Sequence, residues 1–230
     1  MKPELRRFGR EQSPVVVIDD FTGRLDEVRQ VAESLAPFPA IERNYYPGLR
    51  RIIGAGDGAA NDIVLQLCRD AAPFVAGAFD VDRFELIEAS FSMVTTPPSQ
   101  LRGAQRAPHF DSPDPNYLAL LLYLRVPDGS GTAFFRQRST GIERVTEDKL
   151  PRFVSAAERE AALLPAEAGY IQGSDRFFEQ IGKVEAVPDR LVIYQGSLLH
   201  SGIIPPDMPF SDDPTQGRLT ANLFLRARAA

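Results

Sequence analysis

Cysteine is nearly absent from this chain. Cys68 stands alone, so no internal disulfide is available, and its usage gives no sign of an oxidising compartment. Long apolar runs are absent as well: none reaches the ~18 residues that a membrane-spanning helix needs. The opening stretch, MKPELRRFGREQSP, is charged and lacks the apolar core of a secretory signal. The expectation is a cytoplasmic protein with no membrane partner. A basic excess is also missing. The net charge of −5 argues against general affinity for nucleic acid. The scarcity of histidine matters most for chemistry: the chain holds two, His109 and His200.

What is present suits a soluble globular protein, with 43% hydrophobic and 25% charged residues. A chain of 230 residues can bury a full core, and all-β folds reach this size undivided, so one domain over 1–230 is expected. Nineteen prolines and seventeen glycines cut the chain into short segments, as in a β-rich fold with many loops. Residues 1–13 read as a flexible arm. Pro14 then introduces a β-branched strand, Val15-Val16-Val17-Ile18. Leu25, Val28, Val31, Ala32 and Leu35 form a helical apolar stripe, capped by Asp20 or Thr22 and stopped by Pro37 and Pro39. Asn44-Tyr45-Tyr46-Pro47-Gly48-Leu49-Arg50-Arg51 reads as a turn-forming loop, either plain surface or one wall of a substrate mouth. A second helix is predicted over 61–78, with Asn61 as its cap, a kink or division at Pro73, and Cys68 as a small core residue.

From residue 84 to 94 the pattern turns to β. Residues 117–124, YLALLLYL, predict a central strand, and the turn at 128–131 returns 132–136 as its hairpin partner. Residues 137–175 read as an insertion, with a helix over 155–164. Another short helix is predicted over 175–180. Short strands follow at 183–187 and 191–194. Residues 198–204 carry His200, and 218–225, RLTANLFL, alternate as a last strand.

The chemistry concentrates in Pro108-His109-Phe110-Asp111 and in Leu199-His200-Ser201-Gly202, about ninety residues on. On extended backbone, residues i and i+2 point the same way, so His109 and Asp111 can grip one ion. His200 is the remaining imidazole. Two histidines and one carboxylate, arranged H-x-D…H, form the facial triad of non-haem Fe(II) oxygenases, which leaves three coordination positions open. H-x-D alone also arises by chance, and a lone histidine is more often a satisfied core or surface group. Asp114 is a rival carboxylate, but its i+5 spacing enforces no shared face with His109. Metal binding by this set should weaken as pH falls through the imidazole range. Arg218 opens the last strand, and Thr220 shares its face. A buried arginine there would offer a planar fork to a carboxylate, whereas the simpler reading is a surface arginine after the Gly217 turn.

The order of these pieces resembles the Fe(II)/2-oxoglutarate-dependent dioxygenases, in particular their small prolyl-hydroxylase-like branch and a bacterial subgroup of unassigned function. H-x-D is followed by an apolar strand ending in Tyr123-Leu124. The glycine turn and Gly131-Thr132-Ala133-Phe134-Phe135 come next, then a strand leading into His200-Ser201-Gly202, then Arg218-Leu219-Thr220. The resemblance covers roughly 84–226, and the early strand and helix also fit. It implies a mainly-β fold with flanking helices, a double-stranded β-helix (jelly-roll, cupin-like) barrel. It implies Fe(II) on His109, Asp111 and His200 as metal-binding and catalytic set, with dioxygen as oxidant. 2-Oxoglutarate would anchor its far carboxylate on Arg218, with Thr220 assisting and Tyr117, Tyr123 or Gln195 hydrogen-bonding the co-substrate. The substrate would be an amino-acid or peptide side chain or a small metabolite. Because Asp111 is present, the resemblance implies oxygenation rather than halogenation. The 137–175 segment and the proline-rich loop after Asp111 depart from the pattern. Two other classes share the scaffold: a metal enzyme that needs no 2-oxoglutarate and hence no Arg218, and a non-catalytic binding protein. Oligomeric state is not legible.

Overall fold

The computed structural model describes residues 1–40, 46–163 and 168–228. In chain order its main elements are β1 (Lys2–Phe8), β2 (Ser13–Asp19), α1 (Leu25–Ser34), β3 (Gly48–Ile52), α2 (Ala59–Phe79), β4 (Arg83–Val94), β5 (Tyr117–Arg125), β6 (Gly131–Gln137), α3 (Leu150–Ala161), β7 (Phe178–Glu185), β8 (Leu191–Gln195), β9 (His200–Ile203) and β10 (Leu219–Arg228).

Alternation builds the larger sheet, whose seven strands run β1-β2-β8-β5-β10-β4-β3 with antiparallel neighbours. Leu118, Leu120, Leu122 and Leu124 of β5 face one way and pack with Val28 and Ala32 of α1 and Leu67 and Ala71 of α2. Ala119 and Tyr123 face the other way, into the space between two sheets. β10 follows the same rule: Leu219, Ala221, Leu223 and Leu225 join the helix side. Both faces of β5 are therefore buried, which explains its nearly continuous apolar run. Each of its core leucines removed to alanine would cost about 2–5 kcal/mol.

The smaller sheet runs β7-β6-β9. Its inner face lays Phe134 edge-on against Tyr194, with ring centroids 5.2 Å apart. Its outer face is covered by Phe153 of α3 together with Ile142, Val145 and Phe177. The described residues of the 137–175 segment thus cover this sheet. The two sheets form a jelly-roll sandwich and do not close into a barrel among the described residues.

Several expectations need correction. Residues 1–13 are not a loose arm, because β1 pairs with β2 over its full length and Phe8 packs on Phe134. Its charged side chains, which read as an arm, are those of a protected sheet edge. Residues 132–136 do not return as the hairpin partner of β5. Both edges of β5 are taken by β8 and β10, so β6 crosses to the other sheet. The helix predicted over 175–180 is absent. The Asp175 carboxylate accepts the amides of Phe177 and Phe178 in a turn, and β7 starts there. The helix predicted from 155 begins at Leu150, and its predicted last residue, Leu164, lies outside the described residues. α2 runs unbroken through Pro73, with Gly58 rather than Asn61 at its N-cap. Neither Asp20 nor Thr22 caps α1 by a side-chain bond. Instead the distant Asp189 carboxylate holds the Thr22 and Gly23 amides ahead of it. Residues 48–52 form an edge strand rather than a loop, while Asn44 and Tyr45 lie outside the described residues. Cys68 is a buried core residue. No described helix is long and apolar enough to cross a membrane.

Candidate metal centre

The backbone brings the two histidines together before their side chains do. His109 and His200 exchange both amide-to-carbonyl bonds, at 2.9 and 2.8 Å, in an isolated antiparallel bridge. His200 also pairs with Phe134 on the other side, so the smaller sheet holds it in place. The Asp111 amide donates to the Gly196 carbonyl at 2.7 Å, and the Gly196 amide donates to Tyr117 at the same distance. A side chain at Gly196 would put its Cβ 2.7 Å from the Tyr117 ring and 3.3 Å from the Asp111 Cβ. Glycine is required there for close approach of two segments.

One ligand atom from each of His109, Asp111 and His200 lies within 4.8 Å of the other two. His200 Nε2 is 3.6 Å from Asp111 Oδ2, and His109 Nε2 is 4.0 Å from Asp111 Oδ1. His200 Nδ1 sits 2.7 Å from the Leu198 carbonyl, which can only accept, so Nδ1 carries the proton and Nε2 presents its lone pair to the cluster. Asp111 Oδ2 is buried with no hydrogen-bond partner. An orphaned carboxylate oxygen facing an imidazole lone pair is unfavourable unless a cation stands between them. The donor set of two nitrogens and one oxygen fits a first-row metal such as iron.

Burial pushes the Asp111 carboxyl up to about 6, against the pull of His109 and Arg50. Burial lowers His200 to about 4, and partial loss of hydration together with the neighbouring His200 also lowers His109. His109 keeps 55% of its side-chain surface open at the mouth, so His200 is the ring for which a charge is more costly. The rival Asp114 is committed elsewhere. Its Oδ1 accepts the Asn116 amide and its Oδ2 lies 3.3 Å from Arg226.

Arg218 is not a surface residue. It is 6% exposed, its Nε is buried without an acceptor, and no described carboxylate pairs with it. Its guanidinium lies 6.0 Å from the centre of the Tyr123 ring. The Gly217 amide donates to Asp213 at 2.8 Å, in a turn too tight for a Cβ beside the Ser211 carbonyl, and this turn delivers Arg218 into the interior. Thr220 is buried and donates weakly to the Ser92 carbonyl at 3.5 Å. Tyr46 is half-buried in the field of Arg218 and Arg50, with its hydroxyl beside Thr220 and Ser92. The Tyr123 hydroxyl is 2.7 Å from Thr132. Tyr117 stacks on Phe224 next to Asp111, and burial raises its phenol well above the usual range. Gln195 is not brought to this cluster by its contacts: its amide accepts from Arg144 and donates to the Pro115 carbonyl.

A polar ladder on the inner face of the larger sheet was not singled out from sequence. Arg50 donates to Glu88 at 2.5 Å and to Ser90 at 2.9 Å. Ser90 and Ser92 are 3.2 Å apart, and Asn222 donates to Ser92 at 2.8 Å. Its signal was the serine at alternate positions of an otherwise apolar strand.

This sandwich, with the triad at the seam of its two sheets, is the fold of the 2-oxoglutarate–Fe(II) oxygenases. HygX from Streptomyces hygroscopicus, solved with nickel and 2-oxoglutarate bound, superposes with a TM-score of 0.53 at 15% identity, covering 95% of this chain and 87% of that one. SnoK, a non-heme alpha ketoglutarate dependent carbocyclase from nogalamycin biosynthesis, gives 0.51 at 12% identity, covering 94% and 81%. A Pseudomonas putida prolyl-4-hydroxylase gives 0.49 at 15%, covering 96% and 95%. Among curated proteins, none matches the sequence. The chain belongs to the family of unknown function DUF6445, whose model matches residues 1–225.

Proposed function

We propose that this protein is an Fe(II)- and 2-oxoglutarate-dependent oxygenase that hydroxylates an amino-acid or peptide side chain or a small metabolite. His109, Asp111 and His200 hold the metal. Arg218, with Thr220 beside it, binds the far carboxylate of 2-oxoglutarate. The observation that carries the reading is the pairing of two unmet demands in one molecule: an orphaned buried Asp111 Oδ2 that needs a cation, and a buried Arg218 Nε that needs an acceptor.

Bound iron, with 2-oxoglutarate as co-substrate, would supply activation of dioxygen for an oxidative decarboxylation coupled to hydroxylation. The chain's own residues prepare that chemistry. The Leu198 carbonyl keeps the His200 proton on Nδ1 and so keeps Nε2 free. Arg218 offers a planar fork to a carboxylate in a site shielded from water, where charge-assisted bonds are strongest. Tyr123 lines the Arg218 guanidinium and is itself fixed by Thr132. Tyr117 and Phe224 stack as an aromatic wall beside Asp111.

Isothermal titration of 2-oxoglutarate into metal-loaded protein under anaerobic conditions tests this reading, beside Arg218→Ala and His200→Ala. Binding lost in both variants supports it. Metal binding that persists with no 2-oxoglutarate affinity in the wild type would leave a metal enzyme of another kind.

A further inference from the structure

Arg50 and Glu88 stand beside the triad and have no task in the proposed metal or co-substrate sites. Arg50 lies on β3 and Glu88 on β4, both turned to the inner face of the larger sheet. The Arg50 guanidinium uses one nitrogen, Nη2, for Glu88 Oε1 and the Ser90 hydroxyl. Its Nε and Nη1 donate to no acceptor among the described residues. The side chain is only 15% exposed, and its guanidinium lies between two aromatic rings, 6.0 Å from the Tyr46 ring centre and 5.9 Å from that of Phe224. Glu88 keeps Oε2 open, and its side chain is 36% exposed. The pair reaches the reaction centre through ring contacts: Arg50 stands over Phe224, Phe224 stacks on Tyr117, and the Tyr117 ring and Asp111 both crowd Gly196. The Tyr117 ring, stacked on Phe224 at 5.5 Å, floors the space between the charge pair and the triad.

A lone cationic pocket would select anions and a lone acidic one cations. A fixed plus–minus pair with an open donor edge and an open acceptor oxygen is complementary to a minus–plus pair of the same spacing. The simplest ligand of that kind is the main-chain end of a free amino acid, whose carboxylate would meet Arg50 and whose ammonium would meet Glu88. An internal peptide residue carries neither charge. We propose that Arg50 and Glu88 form the substrate-recognition site of this enzyme and that the substrate is a free α-amino acid. Its side chain would lie over Tyr117 and Phe224 toward the metal. This rests on the oxygenase reading above and narrows it to one substrate class.

The test is a thermal-shift screen of the proteinogenic amino acids, taken one at a time, against metal-loaded protein with 2-oxoglutarate under anaerobic conditions. Calorimetry of each hit follows, beside its N-acetyl and methyl-ester derivatives. The expected result is a free amino acid that binds and whose affinity falls about tenfold or more when either charge is blocked. Arg50→Lys keeps the charge but loses the fork, and should weaken the free amino acid while leaving the methyl ester unaffected. Glu88→Gln keeps the shape and should weaken the free amino acid but not its N-acetyl form. Circular dichroism confirms that each variant is folded. Absence of any amino-acid hit, or an N-acetyl amide bound as tightly as the free amino acid, overturns the proposal when 2-oxoglutarate itself binds. If 2-oxoglutarate does not bind to the wild type, the oxygenase reading fails first.

Discussion

Replacing Arg218 with methionine should make the empty protein more stable and the co-substrate site useless. The two effects have opposite sign because the guanidinium is held for a ligand. Its Nε is buried with no acceptor, and an unsatisfied buried donor costs about 1–3 kcal/mol, more when charged. The contact with Tyr123, at 6.0 Å, stands at the outer limit for such pairs and returns about 0.5–1 kcal/mol of the roughly 2 kcal/mol that a close desolvated pair can reach. Methionine fills much of the same volume without a polar atom. The net gain is about 1 kcal/mol, which raises Tm by about 2–4 °C for a chain of this size. A carboxylate on the fork would have gained two charge-assisted bonds of about 1.5–3 kcal/mol each, so 2-oxoglutarate affinity should fall by about a hundredfold or more. Scanning calorimetry of the metal-free variant reads the first effect and isothermal titration reads the second. A lower Tm together with unchanged 2-oxoglutarate affinity would refute the reasoning and return Arg218 to a structural role.

Metal affinity should be flat above pH about 7, because Asp111 is ionised there and both rings are neutral. Between about 6 and about 4 one proton on Asp111 competes, so affinity falls about tenfold per pH unit. Below about 4 the rings compete too and the fall steepens. Chelator-competition titrations check this, and an initial fall of about a hundredfold per pH unit, as two rings protonating together would give, would contradict it. Gly196→Ala should push Tyr117 and Asp111 apart and weaken the metal by about tenfold or more, as displaced supports of a ligand do, read by the same titration. Glu143→Ala should remove a buried carboxylate that accepts the Arg10 and Glu11 amides and pairs with Arg136. The cost is about 3 kcal/mol, or a Tm lower by about 6–12 °C in thermal melts.

The parts of the fold that were legible are those whose burial is local. Residues 117–124 announce β5 because both of its faces are covered, and the stripe from Leu25 to Leu35 announces α1 because one face is. Pairing was not legible. β6 looked like a hairpin partner, but which strand flanks β5 is decided by β8 and β10, distant in sequence. β1 looked like a loose arm because its charged side chains are exposed, while its order comes from backbone bonds that leave no side-chain pattern. At the site, two histidines in a chain of this length restricted the ligand set. Arg218 was readable as a candidate, yet its burial depends on the Gly217 turn. Arg50 reads from sequence only as part of a turn-forming loop and Glu88 only as one residue of a strand, because they meet across two strands 38 residues apart.

The most direct measurement is a titration of 2-oxoglutarate into anaerobic Fe(II)-loaded protein, followed in the visible range for a metal-to-ligand charge-transfer band. The account predicts a weak band that saturates in the wild type, disappears in His200→Ala and needs far more 2-oxoglutarate in Arg218→Met. Iron that binds without any band, or no iron bound at all, would contradict it.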